Sequence, residues 1–88
     1  LEMRPNKYNY YIPYKNRYIF YNGLTDMSFE VSKQNSDAMR SIIENPNIYS
    51  VEYANFIAKM TNAGFIVPDE FNELDFIKKK NEYSTKST

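Results

Sequence analysis

The chain has 88 residues and contains neither cysteine nor histidine. A domain of this size has little apolar area to bury, so its stability is modest. Disulfides, thiolate nucleophiles, iron–sulfur clusters, imidazole bases and the usual zinc ligands are all excluded, because each needs one of the two missing residue types. The fold must therefore rest on a packed apolar core, and we expect no cofactor.

Aromatic residues provide that core. Nine tyrosines and six phenylalanines supply most of the large side chains, and each buried ring removes a large area from water. Lys and Arg together number 11, as do Asp and Glu, so the formal net charge is zero. A neutral chain lacks the basic footprint typical of nucleic-acid binders and of proteins that bind anionic membranes. We therefore expect neither nucleic acid nor membrane as a partner.

No segment resembles a targeting or membrane-spanning sequence. No apolar run approaches the ~20 residues of a membrane helix, and the polar, tyrosine-rich N-terminus lacks the apolar stretch of a signal peptide. We expect a soluble cytoplasmic protein, and the abundance of Lys, Asn, Ile and Tyr is typical of an AT-rich bacterial genome.

Three strands are predicted in the N-terminal part of the chain. Residues 8–14 are rich in strand formers, and Lys15-Asn16 is a hairpin turn that leads to a strand at 17–22. Asn22-Gly23 marks the next turn, because both residues tolerate positive φ. The third strand shows the clearest alternation of the chain, with one buried and one wet face. Its apolar positions are Met27, Phe29 and Val31, and its polar positions are Asp26, Ser28 and Glu30.

Three helices are predicted after these strands. Ser32 is the N-cap of the first helix, which ends before Pro46. The apolar stripe of this helix is formed by Ala38, Met39, Ile42 and Ile43. Ser50 is the N-cap of the second, over 50–62, and Gly64 follows it as a left-handed C′ residue. A short strand at 65–67 precedes a third helix from Asp69 to about residue 81. Its apolar stripe contains Phe71, Leu74, Ile77 and Phe76.

This order predicts an α+β fold in which a three-stranded antiparallel N-terminal sheet packs on about three helices. Residues 1–6 are predicted to be an N-terminal extension, residues 7–82 the domain, and residues 83–88 a disordered tail or the start of a linker.

Two clusters of side chains have a structural and a functional interpretation. The tyrosines at 8, 10, 11, 14, 18 and 21 could stack single-stranded nucleic acid, but the missing basic surplus favours half-buried sheet residues. The acids Asp69, Glu70, Glu73 and Asp75 could hold a cation, but they match no calcium-loop spacing and are typical of a helix start. The strand at 27–31 is a template for an incoming chain if it forms a sheet edge, and the alternative is that another strand covers it.

Two segments resemble a known family. They are YIFYNGLTDMSFEVS at 18–32 and AGFIVPDEFNEL at 63–74. Together they are similar to the N-terminal segment of radical S-adenosylmethionine (radical SAM/SPASM) peptide maturases, over about residues 7–80. That segment is the RiPP recognition element, which recognises ribosomally made precursor peptides and is related to the small peptide chaperone PqqD. The family's middle helix looks replaced here by the loop at 44–49.

The resemblance implies a winged helix-turn-helix-like fold in which the leader of a precursor peptide adds as a strand beside the third strand. The implied peptide-binding residues lie on that strand and on the exposed side of the second helix: Met27, Ser28, Phe29, Glu30, Val31, Glu52, Asn55, Lys59 and Asn62. The cluster-binding cysteines of a maturase would lie downstream. The chain is then either a domain of a longer enzyme or a stand-alone relative, and the catalytic domain of a maturase is a further partner.

The leading hypothesis is therefore a non-catalytic, peptide-binding module. A winged-helix nucleic-acid binder is one alternative, although only Lys59 would be basic on its recognition helix. A purely structural, assembly or regulatory domain is another. An enzyme comes last, because no spacing of tyrosines, lysines and carboxylates here indicates an active site. The identity of the precursor peptide, its modification and the oligomeric state stay open.

Overall fold

A computed structural model describes residues 2–86 of the chain, with side chains for residues 2–80. It shows an α+β fold with three helices and antiparallel sheets, which confirms the predicted class. The elements in chain order are β1 (Met3–Pro5), β2 (Asn9–Tyr14), β3 (Arg17–Asn22), β4 (Ser28–Ser32), α1 (Lys33–Glu44), α2 (Ala54–Asn62), β5 (Ile66–Pro68) and α3 (Glu73–Lys86).

β2, β3 and β4 form a three-stranded antiparallel sheet in chain order. The predicted turn at Lys15-Asn16 joins the first two strands, and Lys15 has a φ of 56°. The second turn differs from the prediction, because Gly23 does not have positive φ. Instead, the buried Asn22 side chain accepts hydrogen bonds from the amides of Leu24 (2.9 Å) and Thr25 (3.0 Å), and Asp26 takes a φ of 59°. An Asn side chain that mimics a backbone turn thus replaces the expected glycine geometry.

β1 and β5 form a second, two-stranded antiparallel sheet. Residues 3–5, which the sequence analysis placed in an N-terminal extension, are thus a strand of this sheet. An ionic contact fixes this strand: the Arg4 guanidinium donates to both carboxylate oxygens of Glu73, at 2.7 and 3.0 Å, and also to the carbonyl of Phe71. A three-residue strand with an arginine and a proline has too few positions to show a periodic pattern.

The core lies between the three-stranded sheet and the helices. Its buried members are Phe20, Val31, Ile43, Met60, Phe65 and Ile66. Aromatic pairs link the sheet to the segment after α2: Phe20 and Phe29 have ring centroids 5.3 Å apart, as do Phe29 and Phe65. Phe29 therefore bridges the sheet and the helical layer, which is how the edge strand is fixed in place.

α1 begins after Ser32, as predicted, but Ser32 does not cap it with its side chain. The Ser32 hydroxyl is buried and has no hydrogen-bond partner in the described structure. Within the predicted stripe, Ile42 and Ile43 are buried and Met39 is half-buried, whereas Ala38 is exposed. The small Ser36 is buried one turn earlier, and its hydroxyl donates to the Lys33 carbonyl at 2.9 Å.

α2 begins at Ala54, four residues later than predicted. Ser50 is not its N-cap, because residues 46–53 form successive turns and the Ser50 hydroxyl donates to the Asn47 carbonyl at 3.1 Å. The C-terminal end is as predicted: Gly64 has a φ of 87°. Its left-handed geometry lets the Phe65 amide bond the Met60 carbonyl at 2.8 Å and turns the chain into β5.

α3 begins at Glu73, not at Asp69. Asn72 is the residue that caps it, because its Oδ1 accepts the Asp75 amide at 3.0 Å. The predicted apolar stripe is buried only in part: Phe71 and Ile77 are half-buried, whereas Leu74 is 64% and Phe76 is 41% exposed. The helix continues to Lys86, past the predicted end near residue 81, and so includes part of the expected tail at 83–88. Residues 87 and 88 of that tail lie outside the described part of the chain. Within residues 2–86, no helix is long and apolar enough to cross a membrane.

Candidate functional site

The candidate strand is an edge of its sheet. In the described part of the chain, β4 pairs with β3 alone. The predicted facing is confirmed at four of five positions: Phe29 and Val31 point toward the core, and Ser28 and Glu30 are exposed. Met27 departs from the prediction, because it precedes the strand and its side chain is 50% exposed.

The free edge of β4 presents the backbone groups of alternate residues. The Asn22 amide donates to the Met27 carbonyl at 2.9 Å, which makes residues 22 and 27 a hydrogen-bonded pair. Bonded and non-bonded pairs alternate along an antiparallel ladder, so residues 29 and 31 also bond inward to β3. The N–H and C=O groups of Ser28 and Glu30 therefore point away from β3. They form the acceptor and donor row that an added strand would use.

The opposite edge of the sheet, on β2, lacks such a row. The Gly23 amide donates to the Tyr8 carbonyl at 2.9 Å, which places residue 8 among the pairs bonded to β3. By the same alternation, the outward positions of β2 are residues 9, 11 and 13. Pro13 has no N–H, so the row of outward backbone donors on β2 is broken at that residue. Of the two edges, β4 is the one with an uninterrupted backbone template.

The inner face of β2 and β3 carries a partly buried tyrosine. Tyr11 packs edge-on against Phe20 with centroids 4.7 Å apart, and the Arg40 guanidinium lies 4.6 Å above its ring. Burial raises the pKa of Tyr11 to about 12 and the nearby Glu44 carboxylate adds to this, so the phenol stays neutral at pH 7. This tyrosine therefore acts as a packing residue and not as a proton acceptor.

The outer face of the sheet carries the other tyrosines and the charged residue of β4. Tyr10, Ile12 and Tyr14 are each about half exposed on β2. Arg17 on β3 and Glu30 on β4 form an exposed ion pair, with Nη1 and Oε2 3.3 Å apart. The tyrosines are thus divided between two faces and do not form one continuous platform.

The structure exposes the four helix-side candidates, but it does not gather them on one element. Asn55, Lys59 and Asn62 lie on α2, whereas Glu52 belongs to the turns before it. α2 packs mainly against β5 and α1, and α1 is the helix that packs against β4. The helix that contacts β4 directly is therefore α1, which the sequence analysis did not consider.

Sequence reasoning also missed an exposed apolar loop between α1 and α2. Ile48 is 77% and Val51 is 91% exposed, and Tyr53 beside them is 41% exposed. Val51 falls within the helix predicted over 50–62, and the later start of α2 places it in this loop instead. The acids from 69 to 75 do not gather, and no group of three or more potential metal ligands occurs within the described residues.

Comparisons with protein-family models, with curated proteins and with solved structures gave no match to this chain.

Proposed function

We propose that this chain is a non-catalytic module that binds the leader segment of a ribosomally made precursor peptide as an added strand on β4. The observation that carries the proposal is the free edge of β4, where no strand within residues 2–86 pairs with the backbone groups of Ser28 and Glu30. Strand addition gives affinity through main-chain bonds and selectivity through alternate side chains. The resemblance of residues 18–32 and 63–74 to the recognition element of radical SAM peptide maturases supports the same edge.

The arrangement of the elements agrees with this proposal. A winged helix-turn-helix-like domain has a small antiparallel sheet packed on a helical layer, and here β3 and β4 pack on α1, which in turn contacts α2. An added strand beside β4 would place every second side chain on the inner side, next to Met27 and the partly buried Phe29. The helix-side residues Asn55 and Lys59 are exposed and available to a longer peptide. Such a module would work in the bacterial cytoplasm, either fused to a maturase or beside one.

The decisive experiment compares proline with alanine at Ser28. The Ser28 N–H points away from β3, so Ser28→Pro removes a donor of the free edge without removing a bond of the native sheet. One lost backbone hydrogen bond is worth about 0.5–1.5 kcal/mol, so the affinity for a cognate leader should fall by about 2- to 13-fold. Ser28→Ala keeps the N–H and should bind like the native protein.

The titration is followed by backbone amide shifts, with leader peptides encoded beside the gene as probes. Circular dichroism checks that Ser28→Pro is folded, and Glu30→Pro provides a second variant that removes an outward donor. Equal affinity of Ser28→Pro and Ser28→Ala, or shifts that map to β2, would refute binding at this edge. Failure of every neighbouring leader to bind would refute the recognition function itself.

A second candidate function is that of an assembly domain that docks on the catalytic domain of a maturase. The observation in its favour is the loop between α1 and α2, where Ile48 and Val51 are almost fully exposed. Large apolar side chains exposed together mark interaction surfaces. The double variant Ile48→Ser, Val51→Ser should then weaken association with the purified catalytic domain and leave leader titrations unchanged. Unchanged association would exclude the loop as the docking surface.

A further inference from the structure

The outward-facing side chain at the centre of the free edge is an acid, and this has a consequence for the ligand. Glu30 is 60% exposed and lies on the outer face of β4. Its Oε2 faces Arg17 at 3.3 Å, on the side of β3, and the described structure shows no bond to its Oε1. Opposite charges that face each other across neighbouring strands attract, and like charges repel.

We infer that the bound segment carries a lysine or arginine opposite Glu30, between two apolar residues that face the inner side. The inference rests on the proposed strand addition at β4 and names the class of segment that this edge selects. The pattern follows from the period of two in a strand: the neighbours of the basic residue point inward, next to Phe29 and Val31. It holds for a parallel and for an antiparallel segment, because both alternate in the same way.

Distance decides which charge of the ion pair the segment meets. Neighbouring strands lie about 4.8 Å apart, so the backbone of an added strand is one spacing from β4 and two spacings, about 10 Å, from β3. The Arg17 guanidinium lies against Oε2 of Glu30 from the side of β3, whereas an incoming basic residue approaches the unbonded Oε1 from the free edge. The attraction of a basic residue to Glu30 therefore exceeds its repulsion from Arg17. Removal of Arg17 should strengthen the selection, because Glu30 then has no competing partner.

A second copy of the chain fits this edge less well. In an antiparallel pairing of two β4 strands, the symmetric register with the longest overlap over residues 28–32 places residue 30 opposite its own copy. Two carboxylates would then face each other across the strands, which is unfavourable. A basic peptide segment meets the same position with the opposite sign. Charge complementarity therefore favours the peptide as the occupant.

The test uses a displayed library of random seven-residue segments selected on the native protein, on Ser28→Pro and on Glu30→Lys. The segments of interest are those that are enriched on the native protein but not on Ser28→Pro. Most of them should contain a Lys or Arg between two apolar residues. On Glu30→Lys the central residue should change to Asp or Glu. Two synthetic segments that differ only in this residue should differ about two- to fivefold in affinity, and the order should reverse with Glu30→Lys.

Matched variants separate the possible outcomes. Glu70→Gln removes an exposed glutamate in the turn after β5, outside the three-stranded sheet, and should leave the selection unchanged. If the enriched segments depend on Ser28 but keep the same central residue on Glu30→Lys, the inference is wrong and strand addition stands. If enrichment is insensitive to Ser28→Pro, strand addition at β4 is wrong, and the inference falls with it. If Glu30→Gln self-associates and selects the same segments, the role of the Glu30 carboxylate is to prevent pairing with a second copy of the chain. That result also overturns the inference.

Discussion

Gly64 joins α2 to β5 in a backbone conformation that only glycine adopts easily, and its replacement by alanine is the sharpest test of the fold. Its φ is 87°, and an added Cβ would lie 2.4 Å from Cγ2 of Thr25. A residue with a Cβ in the left-handed region costs roughly 1–2 kcal/mol. The contact with Thr25 adds to this cost, because real Cβ atoms do not approach a methyl group so closely.

Thr25 can relieve the contact only by giving up hydrogen bonds. Its hydroxyl donates to the Ala63 carbonyl at 2.8 Å and lies 3.2 Å from Oδ1 of Asn22. Each such bond contributes about 0.5–1.5 kcal/mol. We therefore expect Gly64→Ala to lower the free energy of unfolding by about 2–4 kcal/mol, which for a domain of this size corresponds to a melting temperature lower by about 10–25 °C.

Urea denaturation followed by circular dichroism measures this loss, and Gly23→Ala is the matched control. A Cβ at Gly23 would lie 3.4 Å from the nearest atom, Cε2 of Tyr10, and no unusual φ is required there. Gly23→Ala should change stability by less than about 1 kcal/mol. Thr25→Ser removes the clashing methyl group, so Gly64→Ala should cost less in that background. Equal midpoints for the two alanine variants would refute the argument.

Three further predictions concern charge, capping and nucleic acid. The hydrogen bonds from Arg4 lower the pKa of Glu73 from 4.5 to about 2. The stabilisation by the Arg4–Glu73 contact is therefore complete above pH 4.5 and is lost as the pH falls toward 2. Glu73→Gln should lower the free energy of unfolding by up to about 3 kcal/mol at pH 7. The variant should also lose the decrease in stability between pH 4.5 and 2 when stability is measured against pH. Because the Ser32 hydroxyl is buried without a partner, Ser32→Ala should keep or raise the urea midpoint; a loss of about 1 kcal/mol would indicate a capping bond after all. The neutral net charge predicts no useful affinity for duplex DNA at physiological salt, and salt-sensitive, sub-micromolar binding in an anisotropy titration would contradict this.

The strands at 9–14, 17–22 and 28–32 could be predicted from the sequence to within one or two residues, because each shows alternation and a turn of two to five residues fixes the next register. The helix starts could not. Ser50 and Asp69 are good N-cap residue types, but a local turn at the first and a tertiary contact near the second placed the helix starts elsewhere. The turns at 46–53 use the Ser50 hydroxyl locally, and Arg4 draws Glu73 into the first turn of α3. A residue type indicates a cap only where no competing partner is near.

The same limit applies to the candidate site. Alternation alone indicated that Phe29 faces inward and Ser28 outward, but it could not show which edge of the sheet is usable. That depends on which residues of each edge strand point their backbone N–H and C=O groups away from β3. The Asn22-to-Met27 bond determines this for β4, and the Gly23-to-Tyr8 bond determines it for β2. The backbone of Pro13 points away from β3, so its missing N–H removes no hydrogen bond from the native sheet. It does interrupt the row of donors that an added strand would need on β2. Pro13 thus interrupts one edge of the sheet, and β4 is the edge at which we propose that a strand is added.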